Sequence, residues 1–391
     1  MKIYDFNEIV ERRGSNSVKY DLLGKLFGNK DALPLWVADM DFKAPDFIIE
    51  ALEQRMQHEI LAYSFRPESF YQAIINWMRN KHGWNINKGM ISSSPGVVSG
   101  VTMLIMALSD PGDKVIVQTP VYFPFFSCIK NTGRIMVENP LALRDGRYYF
   151  DIEDLKKKID SRTKLMILCS PHNPGGMVWK QEELEALGKI CLENGILIIS
   201  DEIHSDIIFK NHRHIPLPMV SPELSRNCAV CMAPSKTFNV AGLSTALVII
   251  PDKDIRSKYQ RVLNTLHIDG GNIFGNIALE AGYKKGADWL LQLMDYLEGN
   301  YNFLETFIRD KMPRIKVMQP EATFLAWLDF REYGLSEEEM AEILVHKAGV
   351  ALNQGSMFGT NGTGLFRLNF ACPRSVLEEG LNKMQNELRK I

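Results

Sequence analysis

Three polar residues stand at the ends of apolar runs, in the order Asn, Asp, Lys. Asn173 opens Asn173-Pro174-Gly175-Gly176, Asp201 lies in Ser200-Asp201-Glu202-Ile203-His204, and Lys236 lies in Ser235-Lys236-Thr237-Phe238-Asn239. A lysine amine condenses with an aldehyde to a Schiff base, a buried aspartate holds a pyridine nitrogen protonated, and an asparagine amide hydrogen-bonds a phenolic oxygen. Pyridoxal 5′-phosphate (PLP) carries all three partner groups on one ring, so it is the cofactor this set implies. The steps from 173 to 201 and from 201 to 236 are 28 and 35 residues, room for one strand and its crossover each. Asn-Pro-Gly alone is a common turn and Ser-Lys a common dipeptide; the ordered set carries the reading.

Such residues need a sheet to present them. Between about 90 and 250, short β-branched and aliphatic runs alternate with amphipathic segments, the pattern of a wound, mostly parallel α/β layer. Strands are expected at 114–118, 165–169, 196–200, 229–232 and 246–250, buried on both faces. The stretch 181–194 repeats Leu184, Leu187, Ile190 and Cys191 at helical spacing and is closed by Gly195, which makes it a crossover helix.

Ser94-Pro95-Gly96-Val97-Val98-Ser99-Gly100 precedes a helical pattern at 101–108. Gly96 then lets the amides of Val97 and Val98 face an anion at a helix N-terminus, the place for a cofactor phosphate, and Ser235 can add a hydroxyl. An ordinary strand-to-helix turn is the plainer alternative. Tyr122 follows Thr119-Pro120-Val121 at a strand end, where open α/β sheets keep their ligand crevice. Phe123, Phe125 and Phe126 read as core beside it, and a packing role for Tyr122 stays open. Asp201 is costly to bury unless paired, and a protonated pyridine nitrogen is such a partner. Glu202 should point the opposite way, with His204 beside the cofactor, bracing Asp201. Arg367 interrupts the apolar strand Gly364-Leu365-Phe366-Arg367-Leu368-Asn369-Phe370; a guanidinium there seeks a planar anion, either a substrate carboxylate or a structural acid.

The C-terminal third changes character. Paired strands are expected at 316–318 and 323–329, a capping box at Ser336-Glu337-Glu338-Glu339 should open a helix running to His346, and a second box at Ser375-Val376-Leu377-Glu378 should open the terminal helix. This reads as a smaller α+β unit. A large domain at 49–286 is expected, with an N-terminal arm at 1–48 joining a small domain at 287–391. The boundary falls at a long helix of about 287–311.

Composition narrows the function. The 391 residues are 46% hydrophobic and 24% charged, the balance of a soluble globular protein. With 45 Lys plus Arg against 47 Asp plus Glu, the net charge is −2, which leaves no electrostatic footprint for nucleic acid. No apolar stretch approaches the roughly 18 residues of a membrane helix, and the N-terminal residues show no signal-peptide pattern, so a cytoplasmic location is expected. Cys228 and Cys231 invite a redox or zinc reading, but in a strand positions three apart face opposite sides, and no second pair follows. His212 and His214 sit in a polar loop without carboxylates at ligand spacing, so no metal site is expected.

The ordered motifs resemble the aspartate-aminotransferase-like family, the fold-type I PLP enzymes. Pro34-Leu35-Trp36-Val37-Ala38-Asp39-Met40-Asp41-Phe42, Ser235 to Asn239 and Phe366-Arg367-Leu368-Asn369-Phe370-Ala371-Cys372-Pro373-Arg374 are similar to the MalY/PatB group of cystathionine β-lyases. The resemblance covers essentially the whole chain. It implies that Tyr122 stacks on the cofactor ring, that Arg367 clamps the substrate carboxylate, and that Val37 and Ala38, with Asp39 near them, line the substrate pocket. It also implies that Tyr63 reaches the phosphate of a neighbouring subunit, making the active site that of a homodimer. A family hydroxyl three residues before the lysine is replaced here by Ala233. The favoured activity is C–S β-elimination from cystathionine or cysteine-type conjugates to pyruvate, ammonia and a thiol. Transamination in the same fold, and a non-catalytic sensor derived from it, are the alternatives.

Overall fold

The computed structural model describes residues 2–391. Its main sheet has seven strands: β1 (Ile91–Ser94), β2 (Lys114–Val117), β3 (Ile135–Glu138), β4 (Thr163–Cys169), β5 (Leu197–Asp201), β6 (Cys228–Met232) and β7 (Ala246–Ile249). They lie in the order β1-β7-β6-β5-β4-β2-β3, and only β7 runs antiparallel to its neighbours. The runs are apolar because both faces are covered. Val115, Val117, Leu165, Ile167 and Ile199 pack into one core layer, whereas Ile116, Met166, Leu168 and Ile198 pack into the layer on the other face. Cys228 and Cys231 separate to opposite layers as strand geometry requires, and all six cysteines are buried free thiols.

The helices that matter for the site are α1 (Glu68–His82), α2 (Val97–Leu108), α3 (Gln181–Glu193), α4 (Pro234–Thr237), α5 (Ile273–Lys285) and α6 (Ala287–Lys311). The 25 residues of α6 span about 37 Å. They deliver the chain to a second sheet, β8 (Lys316–Met318), β9 (Leu325–Asp329), β10 (Asn353–Gln354) and β11 (Leu365–Asn369), in the order β8-β9-β11-β10, all antiparallel. Between β9 and β10 comes α7 (Glu337–Glu342), opened by the expected Ser336/Glu339 capping box and continued by a π-helical turn at Ile343–Lys347. The second box does not form. The terminal helix α8 (Arg374–Leu388) starts two residues earlier than a Ser375 cap would set it, after Pro373, which places Ser375 inside the first turn, and the Tyr296 hydroxyl accepts the hydrogen bond from the Arg374 N–H. No helix among the described residues is long and apolar enough to cross a membrane.

The N-terminal arm packs on α6 and pairs with the C-terminal third of the chain. Leu33–Pro34 pairs in parallel with Val350–Ala351, Phe6 packs edge-on against Phe42 and Trp289, and the Trp36 indole N–H donates to the Lys19 carbonyl. Lys19 is fully buried against Asp41, and Arg12 bridges Asp39 and Asp41 at 2.8 and 2.6 Å.

Phe238 shows how tightly this core is fitted. It is fully buried among Phe47, Trp77, Tyr283 and Trp289, and a Cβ built on Gly286 would stand 2.3 Å from its ring. Gly286→Ala is therefore expected to destabilise the protein by about 1–3 kcal/mol through overpacking. Urea unfolding checks this; an unchanged midpoint would show that the ring can move aside.

Candidate active site

The parallel strands end along one edge, and the polar residues follow those ends: Tyr122 after β2, Asn173 after β4, Asp201 closing β5, and Lys236 four residues beyond β6. The motif around Lys236 divides its labour residue by residue. Ser235 and Lys236 face a cavity, Thr237 turns away into the protein, Phe238 fills the aromatic pocket, and Asn239 ties down the arm. The Asn239 amide accepts from Met40 N–H at 3.0 Å and donates to the carbonyls of Met40 and Phe42 at 2.9 and 2.7 Å. The arm consequently lies across the mouth of the site, and the Lys236 amine donates to the Ala38 carbonyl at 2.6 Å.

The cavity has a volume of about 200 Å³. Ala38, Gly96, Val97, Val98, Tyr122, Asn173, Asp201, His204, Ser235 and Lys236 all line it. Gly96 caps α2 in an extended conformation, and a Cβ there would project into open space, so the helix N-terminus is uncovered toward the cavity. The turn carrying Asn173 is held from behind: Gly176 has φ +71° and its missing Cβ would meet Pro320 at 2.7 Å, and the Val178 N–H donates to Glu321. Val37 and Arg367, both expected at the substrate, are not among the residues that line this cavity; the Val37 carbonyl accepts from Asn369 at 2.6 Å. Tyr63 is fully exposed and does not line this chain's own cavity.

Arg367 sits just behind Asn173. Its guanidinium donates to Asn173 Oδ1 at 2.9 Å, to the Trp36 carbonyl at 3.0 Å and to Asn353 Oδ1 at 2.7 Å. All three partners are neutral oxygens, the Nε is buried without a partner, and burial lowers the group to about 10. A buried cation that lacks a counter-charge is poised to take an anion.

Asp201 has the complementary deficit. Among the described residues its carboxylate accepts one hydrogen bond, from Ile203 N–H at 3.1 Å, and burial pushes it up to about 7. Lys236 is pushed down to about 8, by burial first, against the attraction of Asp39 and with the repulsion of Arg367. His204 was expected to brace Asp201. It lines the cavity itself, with Nδ1 buried and unpaired, and desolvation holds it well below its ordinary value, so it is neutral. Glu202 does point away, accepting from Ser200, from Leu217 N–H and from His214. His214 lies in irregular backbone, as expected, yet it is buried and paired with Glu202, a partner brought to it by the fold where no local spacing could show it.

These features fit PLP: an unneutralised carboxylate for a ring nitrogen, an amine with a depressed proton affinity for an aldehyde, and an open helix N-terminus for a phosphate. Ser99, Ser244 and Thr245 line the same cavity and had not been singled out from the sequence. They offer hydroxyls near the place where Ala233 lacks one. The only local signal for them is the small, polar turn eight residues past Lys236, with Ser244 at φ +46°.

Residues 30–384 match the family model of class I and II aminotransferases. The chain is 44% identical to the cystathionine beta-lyase PatB of Bacillus subtilis, over 98% of this chain and all of that one. It is 32% identical to protein MalY of Escherichia coli, with both chains covered in full. A PLP-bound structure from Clostridium difficile 630 superposes with a TM-score of 0.97 at 46% identity, covering 99% of this chain and 100% of that one.

The Asp201 shift has a measurable consequence. Its folded value of about 7 lies above the unfolded 3.8, so in the cofactor-free protein its contribution to stability is full below about pH 4 and is lost as pH rises through 7. Asp201→Asn should thus leave cofactor-free stability unchanged near pH 4 and raise it at pH 8 by on the order of a few kcal/mol, while weakening the hold on PLP. Thermal unfolding at the two pH values checks this; a gap independent of pH would contradict it.

Proposed function

The chain belongs to the family of class I and II aminotransferases, and we propose that within it the chain is a PLP-dependent C–S β-lyase acting on cystathionine or cysteine-type conjugates. The observation that carries this reading is the full-length likeness to a cystathionine β-lyase, laid over a cavity where Lys236, Asp201 and Asn173 meet. Bound PLP supplies an electron sink for negative charge developing at the substrate α-carbon. The chain does the rest. Asp201 would keep the ring nitrogen protonated, Asn173 would offer its amide to the ring oxygen, and the uncovered amides of Val97 and Val98 with the Ser235 hydroxyl would take the phosphate. Tyr122 supplies an aromatic face, itself held edge-on by Phe125.

Lys236 has two duties. It is the amine that would hold the cofactor aldehyde, and with a substrate amine in its place it would accept the α-proton. Its depressed value of about 8 leaves a usable neutral fraction near pH 7 and a strong enough base to accept that proton. Arg367 orients the substrate by its α-carboxylate, pre-aimed by the amides of Asn173 and Asn353. The arm closes the mouth through Ala38 and brings Asp39 near the amine. Loss of the thiolate from the β-carbon, followed by hydrolysis, yields pyruvate and ammonia.

Elimination and amino transfer share every one of these contacts, so turnover separates them. Cystathionine or cysteine should give pyruvate continuously with no added keto acid, because transamination needs an acceptor. Arg367→Lys should lower kcat/KM about tenfold or more, as the planar two-pronged fork is lost. Strict dependence on an added keto acid would transfer the reading to an aminotransferase, and unchanged kinetics in the variant would remove Arg367 from the site.

The assembly we propose is a homodimer with shared sites. Ile60, Leu61, Tyr63 and Phe65 are all exposed on a segment without regular structure, a run of apolar side chains of the kind a partner subunit covers. A two-fold arrangement would let Tyr63 reach the phosphate of the other subunit. A cytoplasmic location suits the six free thiols. Sedimentation should find a dimer at assay concentrations, with Tyr63→Ala weakening PLP affinity; a fully active monomer would overturn the shared site.

A further inference from the structure

Thr237, the residue after the cofactor lysine, makes the one contact of its motif that neither the cavity nor the arm explains. Its hydroxyl donates to Asp206 Oδ2 at 2.7 Å. Asp206 Oδ1 takes the Trp77 indole N–H at 3.0 Å and His82 Nε2 at 2.9 Å, so the imidazole carries its proton on that nitrogen. Asp206, Thr237, Trp77 and His82 are all buried, and Trp77 is itself stacked on Tyr283 with ring centroids 5.1 Å apart. A carboxylate so enclosed is costly unless its oxygens are satisfied, and here three donors satisfy them.

The geometry has a direction. The segment from Asp201 to Asp206 carries three buried acids: Asp201 faces the cavity, Glu202 points away to His214, and Asp206 grips α4. α4 is four residues long, and a single turn has too few internal hydrogen bonds to hold its own rotation. We infer that Asp206 is a positioning residue for Lys236: through the Thr237 hydroxyl it fixes the rotation of the one-turn helix, and so the place where the amine waits for the aldehyde. The inference rests on the PLP reading of the cavity but not on which reaction follows.

The test follows capture of PLP by the cofactor-free protein, quenched with borohydride at timed intervals, with the modified lysine located by peptide mass. Thr237→Val should slow capture at Lys236 about tenfold, and Asp206→Asn should do likewise, while Thr237→Ser, which keeps the hydroxyl, stays within about twofold of the parent. Affinity for pyridoxamine 5′-phosphate, which has no aldehyde to capture, should change by no more than about twofold in the Thr237 variants. Capture by Thr237→Val at the parent rate would overturn the proposal, as would a serine variant as slow as the valine one, since the methyl packing would then matter rather than the hydrogen bond. A parallel loss of pyridoxamine 5′-phosphate affinity would overturn it too, by showing a collapsed cavity. Absence of capture at Lys236 in the parent protein would instead sink the PLP reading beneath it.

Discussion

A carboxylate shut inside an apolar sheet is the constraint around which the rest is arranged. Asp201 closes β5, is almost fully buried, and has one backbone hydrogen bond to offset the loss of water. Left alone it would take up a proton, and its upward shift to about 7 records that tendency. A buried cation in hydrogen-bonding reach reverses the balance, and a protonated pyridine ring is a cation of the right shape. The sheet thus holds a site that is electrostatically unfinished. Arg367, buried with only neutral oxygens around it, is the matching deficit on the substrate side. On the proposed reading, cofactor and substrate would each supply the charge that the protein withholds.

The second organising element is the arm at residues 36–42. Its carbonyls are gripped from beneath: Trp36 by Arg367, Val37 and Asp39 by Asn369, Ala38 by Lys236, and Met40 and Phe42 by Asn239. From the other side Arg12 and Lys19 hold the carboxylates of Asp39 and Asp41. Two strands of evidence from distant parts of the chain, the lysine motif and β11, meet in this one segment. Breaking either grip frees backbone that covers the reactive amine, so the arm couples folding of the N-terminus to the geometry of the site.

What could be read in the sequence, and what could not, follows from the range of the interactions. Strand positions and the crossover helix were legible because burial on both faces demands continuous apolar runs. Asp201 and Arg367 stood out because a charge inside such a run is expensive and calls for a reason, and Lys236 because it follows such a run within an ordered motif. The Asp206 contact was invisible: it joins Thr237 to Trp77 and His82 across more than 120 residues, and no spacing signals it. His214 was misjudged for the same reason, its partner Glu202 being brought to it by the fold. At Ser375 the expected capping box lost to Pro373, which caps the helix two residues earlier.

The central claim, that buried Asp201 holds a pyridine nitrogen protonated, can be read directly from the nitrogen chemical shift of PLP labelled with 15N in the ring and bound to the purified protein. The account predicts a protonated ring nitrogen at pH 8 in the parent protein and an unprotonated one in Asp201→Asn at the same pH. An unprotonated nitrogen in the parent, or a protonated one that persists in the variant, would contradict it.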